Sequence, residues 1–196
     1  GNGRVVKLHN PSRDLSFERT LKPESMVSPH GVAITADSLL FATDHGSNRV
    51  YGFYADSLVS TWGGNDSTSS RFDRPTGIAA TSPADEWSHW KDGFVIVVDQ
   101  EGQRLQKMAV NGESLGAIRA TDVGLTQARM SYVAIDLFSN VWVTDAANHA
   151  IHKFDRDLQH LTTFGSEGKG KNEFRDPRGI TFYKRFGQVF VADRES

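Results

Sequence analysis

PHGVAITADSLLFATDHGSNRVYGFYADSLVSTWGG, residues 29–64, reads as four short strands in a row. Apolar runs of about five residues are broken by Asp, Ser, Gly and Asn, the residues that turns favour. Helical spacing is not sustained anywhere in it. The same pattern returns, and a fixed period of this kind decides the fold class before any other signal.

An aspartate closes each second strand: LLFATD at Asp44, FVIVVD at Asp99, VWVTD at Asp145 and VFVAD at Asp193. The intervals are 55, 46 and 48 residues. Upstream of these stand PHGVAIT from Pro29, PTGIAAT from Pro75, MSYVAID from Met130 and PRGITF from Pro177. Downstream come SNRVYGF, GQRLQKM and NHAIHKF, then a fourth strand in LVSTWGG, SLGAI and HLTTFG. Four units across 196 residues average 49 each, a length that fits four-stranded propeller blades. The run Phe94-Val95-Ile96-Val97-Val98 is apolar on both faces, so its sheet must be covered on both sides, as stacked blades would do.

The last unit stops after its second strand, and the first residues supply a third and fourth strand. The expectation is one domain over residues 1–196. Outer strands lie in 1–21, blades at 28–64, 74–118 and 130–165, and inner strands at 176–193. Three closures fit: a small closed ring completed by the chain's own first strands, part of a larger ring, or completion by a second chain. Joined end to end, Asp193 and Arg4 would stand seven positions apart, where Asp44 and Arg49, or Asp99 and Arg104, stand five apart. The opening GNGRVVKL suggests a mature form or an excerpt of something longer.

Pro-x-Gly-Ile/Val-Ala, an apolar strand ending in Asp, then Asn-x-Arg or Asn-His, then Phe-Gly, resembles the NHL repeat over nearly the whole chain. The resemblance implies an all-β propeller of four-stranded antiparallel blades, usually six in that family. In two places the chain is also similar to the amidating-lyase propellers that act on peptidyl-hydroxyglycine. Pro29-His30-Gly31 matches their Pro-His-Gly, and Val191-Ala192-Asp193-Arg194-Glu195 matches a second-strand end. That family brings several Pro-His histidines to the axis to hold zinc. Here the corresponding slots hold Thr76, Ser131 and Arg178, so three ligands for a catalytic zinc are lacking. Calcium-dependent lactonases of similar build need an acidic and asparagine set on the axis, and none is visible.

Propeller geometry places His30, Thr76, Ser131 and Arg178 around the channel mouth, the expected seat of a small ligand. Asp44, Asp99, Asp145 and Asp193 are expected to hold turns by accepting backbone N–H bonds. Arg49 and Arg104 are placed to pair with the first two, and Ala150 leaves the third without that partner. His45 and His149 read as turn residues and His152 as an outward strand residue. The insertion at residues 82–92 carries Trp87, His89 and Trp90 opposite His30, either as an interaction loop or folded back over the blade edge.

There are no cysteines, which removes disulfides and thiolate metal sites. A formal net charge of -2 gives nucleic-acid binding no general support. An RNA-binding face around Arg178 and Lys169 is carried as an alternative, because some NHL propellers bind RNA. No apolar run is long enough to span a membrane. No P-loop, HExxH, EF-hand or nucleophile elbow is present, so no cofactor is expected. Asn65-Asp66-Ser67 is a glycosylation pattern in a secreted protein, and a secreted or periplasmic setting is the slight preference. The expected role is a binding or scaffold module with a protein partner or self-association. The alternative is a metal-dependent enzyme of the amidating-lyase type acting at the channel mouth.

Overall fold

Alternate residues of one strand enter two different cores, which is why residues 94–98 are apolar throughout. The computed structural model describes residues 2–10, 15–64 and 71–194. Within it Phe94, Ile96 and Val98 pack on one side with Met130, Val133, Val141 and Phe154. Val95 and Val97 pack on the other with Phe41, Val50 and Trp62. Every residue of this strand is buried. Burying such a side chain contributes about 1.5–3 kcal/mol, so the two inter-sheet cores hold the sheets together.

The strands are β1 (Val5–His9), β2 (Ser16–Leu21), β3 (Pro29–Ile34), β4 (Leu40–Asp44), β5 (Arg49–Tyr54), β6 (Ser57–Gly63), β7 (Pro75–Thr81) and β8 (Phe94–Asp99). There follow β9 (Arg104–Met108), β10 (Ser114–Arg119), β11 (Met130–Ile135), β12 (Val141–Asp145), β13 (Ala150–Phe154), β14 (His160–Phe164), β15 (Pro177–Tyr183) and β16 (Gln188–Asp193). They form three four-stranded antiparallel sheets, β3–β6, β7–β10 and β11–β14, and two hairpins, β1–β2 and β15–β16. Neighbouring sheets stack through their first strands, β3 on β7, β7 on β11 and β11 on β15. The β1–β2 hairpin packs through Leu21 and Val5 on Ala42, Tyr51 and Phe53 of the first blade. The fold is a β-propeller left open.

The closed single-chain ring is not formed. β1 pairs only with β2, and β15 only with β16, so no ladder joins the two hairpins among the described residues. Each hairpin instead spends its packing face on the blade beside it. Asn65, the glycosylation candidate, lies outside the described residues.

The aspartates bind the blades internally. Asp44 accepts N–H bonds from Val27 and Ser28, before β3, and from Gly46 and Ser47, after β4. Asp145 does the same with Arg129 ahead of β11 and with Ala147 and Asn148 after β12. Asp193 takes the N–H groups of Arg175 and Asp176. Each carboxylate ties the chain entering a blade to the end of that blade's second strand.

The side-chain partners of these aspartates differ from blade to blade. Arg104 donates to Asp99 at 2.7 Å, but Arg49 forms no ion pair with Asp44. The Arg49 guanidinium lies instead against Gly64, where an added Cβ would stand 2.6 Å from its Nε. In the third blade His152, seven residues after Asp145, takes the missing arginine's place. It is buried, not outward, with Nε2 3.3 Å from Asp145 Oδ2 and Nδ1 2.9 Å from Thr163 Oγ1. Gln106 occupies the same offset after Asp99 and donates to it at 3.0 Å.

Candidate functional site

All four first strands carry the same irregularity, a one-residue bulge just after their first residue. Pro29 pairs with Asp44 but Val32 pairs with Ala42, and β7, β11 and β15 repeat this at Ile78, Val133 and Ile180. A bulge leaves its extra residue outside the ladder and redirects side chains. The residues in it are His30-Gly31, Thr76-Gly77, Ser131-Tyr132 and Arg178-Gly179, so the bulges build the channel mouth.

Two of the four expected mouth residues do not line it. Thr76 and Ser131 are each only 2% exposed, because β7 and β11 have a neighbouring first strand on both sides. His30 and Arg178 sit on β3 and β15, which border the open arc, and both remain accessible. Tyr132 also lines the mouth. It occupies the slot that is glycine in the other three units, a departure visible by aligning PHG, PTG and PRG with MSY. Its ring stands 6.0 Å from that of His30. On its other side it shares a cavity of about 410 Å³ with Arg178, Ala192 and Arg194.

Below the mouth runs a groove of about 600 Å³ between β3, β7, β11 and β15, walled by Val32, Ile34, Ile78, Ile135, Thr181 and Phe182 among others. His30 and Tyr132 stand at one end. Asp85 and Lys184 form an ion pair at the other, with Lys184 Nζ also donating to Ser88 at 2.9 Å. Asp85 comes from the 82–92 insertion, which folds under the third blade, and Lys184 from the turn between β15 and β16. The N–H of His89 donates to Leu137 O at 2.7 Å, Arg156 stacks 4.9 Å from the Trp90 ring and Arg185 lies 6.0 Å from the Trp87 ring. Both tryptophans keep nearly half their surface exposed.

Burial and the neighbouring His45, whose ring is 6.2 Å away, push the His30 pKa down, while the Thr76 carbonyl opposes them. His30 is therefore neutral at pH 7. The folded state binds this proton less readily than the unfolded chain, so stability is lost as pH falls below about 6.5. In an NMR titration the His30 ring should have its midpoint below that value. His45→Gln should move it up without restoring it fully, and an unchanged midpoint would remove His45 as a cause.

Among the described residues, four buried polar atoms in this region make no hydrogen bond: Thr76 Oγ1, His45 Nδ1, Arg178 Nε and Asp176 Oδ2. The Arg178 Nε lies 2.9 Å from Asp176 Oδ1, but off the line a hydrogen bond requires. Among the described residues no three His, Cys, Asp or Glu side chains converge to hold a metal. His30 has only one other imidazole beside it, so the zinc of the amidating-lyase resemblance does not fit these residues.

No family model matches the chain. Among solved structures it is similar to a catalytically inactive virginiamycin B lyase from Staphylococcus aureus with quinupristin, at TM-score 0.67 and 14% identity over 97% of this chain and 56% of that one. A streptogramin B lyase gives TM-score 0.67 at 18% identity, with 97% and 55% covered. A protein from Lactobacillus plantarum gives 0.68 at 17%, with 99% and 59% covered. The chain thus spans little more than half the length of these structures. At such identities the likeness concerns the fold, and these neighbours are β-propeller-like: the chain has a β-propeller fold.

Proposed function

We propose that this chain is an NHL-like propeller that serves as a binding module, with a small ligand seated in the groove between β3, β7, β11 and β15. The observation that carries this reading is the mouth, where His30 and Tyr132 open onto a groove large enough for a small molecule and Tyr132 and Arg178 line a second cavity beside it. The exposed Trp87 and Trp90, flanked by Arg185 and Arg156, supply a separate surface for a protein partner. Thr181 is exposed on the groove wall, so Thr181→Trp should fill the groove and leave the fold intact. Native mass spectrometry after incubation with a cell extract should show a co-retained small molecule on the original chain and at least tenfold less on the variant. Equal retention by both would sink the reading.

A second reading is favoured by the lowered His30 pKa. Three of the structural neighbours carry lyase names, and a neutral imidazole at the mouth is suited to proton transfer. Incubation with quinupristin separates the two. Turnover abolished by His30→Ala would favour the enzyme, and unchanged quinupristin would favour the binding module.

A further inference from the structure

Asp176 is buried, with its side chain 4% exposed, and three arginines converge on it. Arg129 Nη2 lies 3.1 Å from Oδ1, Arg178 Nε 2.9 Å from Oδ1 and Arg194 Nε 2.9 Å from Oδ2. One carboxylate therefore gathers three guanidinium groups, and the cluster carries a local charge of about +2, since arginine stays protonated in proteins. Their side chains keep 51, 27 and 65% exposure, so solvent and solutes reach all three. Within this cluster guanidinium groups outnumber carboxylates three to one.

Two further features point to a ligand. Arg178 Nε–H is buried and donates no hydrogen bond, and Arg178 Nη1 reaches only Ser131 Oγ, at a long 3.5 Å. Arg178 and Arg194 also line the cavity of about 410 Å³ that Tyr132 shares with the groove. Each guanidinium has five N–H donors in a planar fork that matches the oxygens of a carboxylate or phosphate.

We infer that Arg129, Arg178 and Arg194, gathered by Asp176, form an oxyanion subsite that holds the carboxylate or phosphate group of a small ligand at the channel mouth. This rests on the groove as ligand site and names the chemistry at its mouth. Tyr132 stands between the subsite and His30, where its hydroxyl can meet the part of the ligand that turns into the groove.

The test is a calorimetric titration of the full chain at low ionic strength with inorganic phosphate and, separately, with acetate. One-to-one saturable binding of either ion is expected, and the tighter ion names the headgroup. Arg178→Gln and the more exposed Arg194→Gln should each weaken binding at least tenfold, with circular dichroism showing that the fold is kept. Arg178→Lys, which keeps the charge without the fork, should fall between. No saturable binding of either ion, or unchanged affinity in both glutamine variants, overturns the subsite. Thr181→Trp should leave ion binding unchanged, so a mouth that holds no anion and a groove that holds no ligand give different results.

Discussion

Asp145→Ala should lower stability by about 3–5 kcal/mol, the usual cost of breaking a buried, charge-assisted network. The carboxylate is fully buried and accepts from three backbone N–H groups, from the Asn148 amide and from His152. Alanine leaves all of these donors facing a small cavity. A chain of this size loses roughly 2–4 °C of melting temperature per kcal/mol, so a drop on the order of 10 °C is expected in calorimetry. Asp193→Ala should cost far less, about 1 kcal/mol, because Asp193 is itself only half buried and water replaces the lost acceptor. Equal losses at the two sites would show that the aspartate acts independently of burial. Burial by itself would raise the Asp145 pKa; the bond from His152, then those from Arg129 and Asn148, outweigh it and hold the carboxyl below the ordinary range. Its stabilisation is therefore complete above about pH 4 and lost as acid takes the protein down through the lowered value.

Gly77→Ala should cost about 3 kcal/mol, the upper end of ordinary overpacking. An added Cβ would stand 2.5 Å from Ser131 O and 2.8 Å from Tyr132 Cα, backbone atoms of the next blade that cannot yield alone. The two blades would have to part, opening a core that includes Phe94, Ile96 and Val133. Gly179→Ala makes the control. The same motif position there meets nothing nearer than Ala192 Cβ at 3.8 Å, an ordinary contact. Denaturant midpoints should separate the two variants clearly, and similar midpoints would refute close blade approach as the reason for the glycine.

These two sites also show what the sequence could and could not tell. Periodicity reported the blades because strands, turns and two-sided burial leave a mark in every copy. The recurring aspartate is legible as a turn holder from its position alone. Its partners were not readable, because seven residues on the slot is filled by Tyr51, Gln106 or His152 according to local space. The mouth was half legible. His30 and Arg178 announced themselves by residue type, but the burial of Thr76 and Ser131 depends on which strands have two neighbours. The arginine cluster was hidden because Arg129, Asp176 and Arg194 come from three segments and meet only when the third blade stacks on β15.

The Asp85–Lys184 bridge has a consequence for how the molecule comes apart. In tandem-repeat proteins each unit touches only the next, so ends can fray one unit at a time. Here a side chain from the second blade's insertion reaches past the third blade to the turn between β15 and β16. The last hairpin cannot peel away without releasing that strap, and the second blade cannot loosen without freeing the hairpin. Segments nearly a hundred residues apart thereby share one opening event, and the far end of the groove keeps its width for as long as the strap holds.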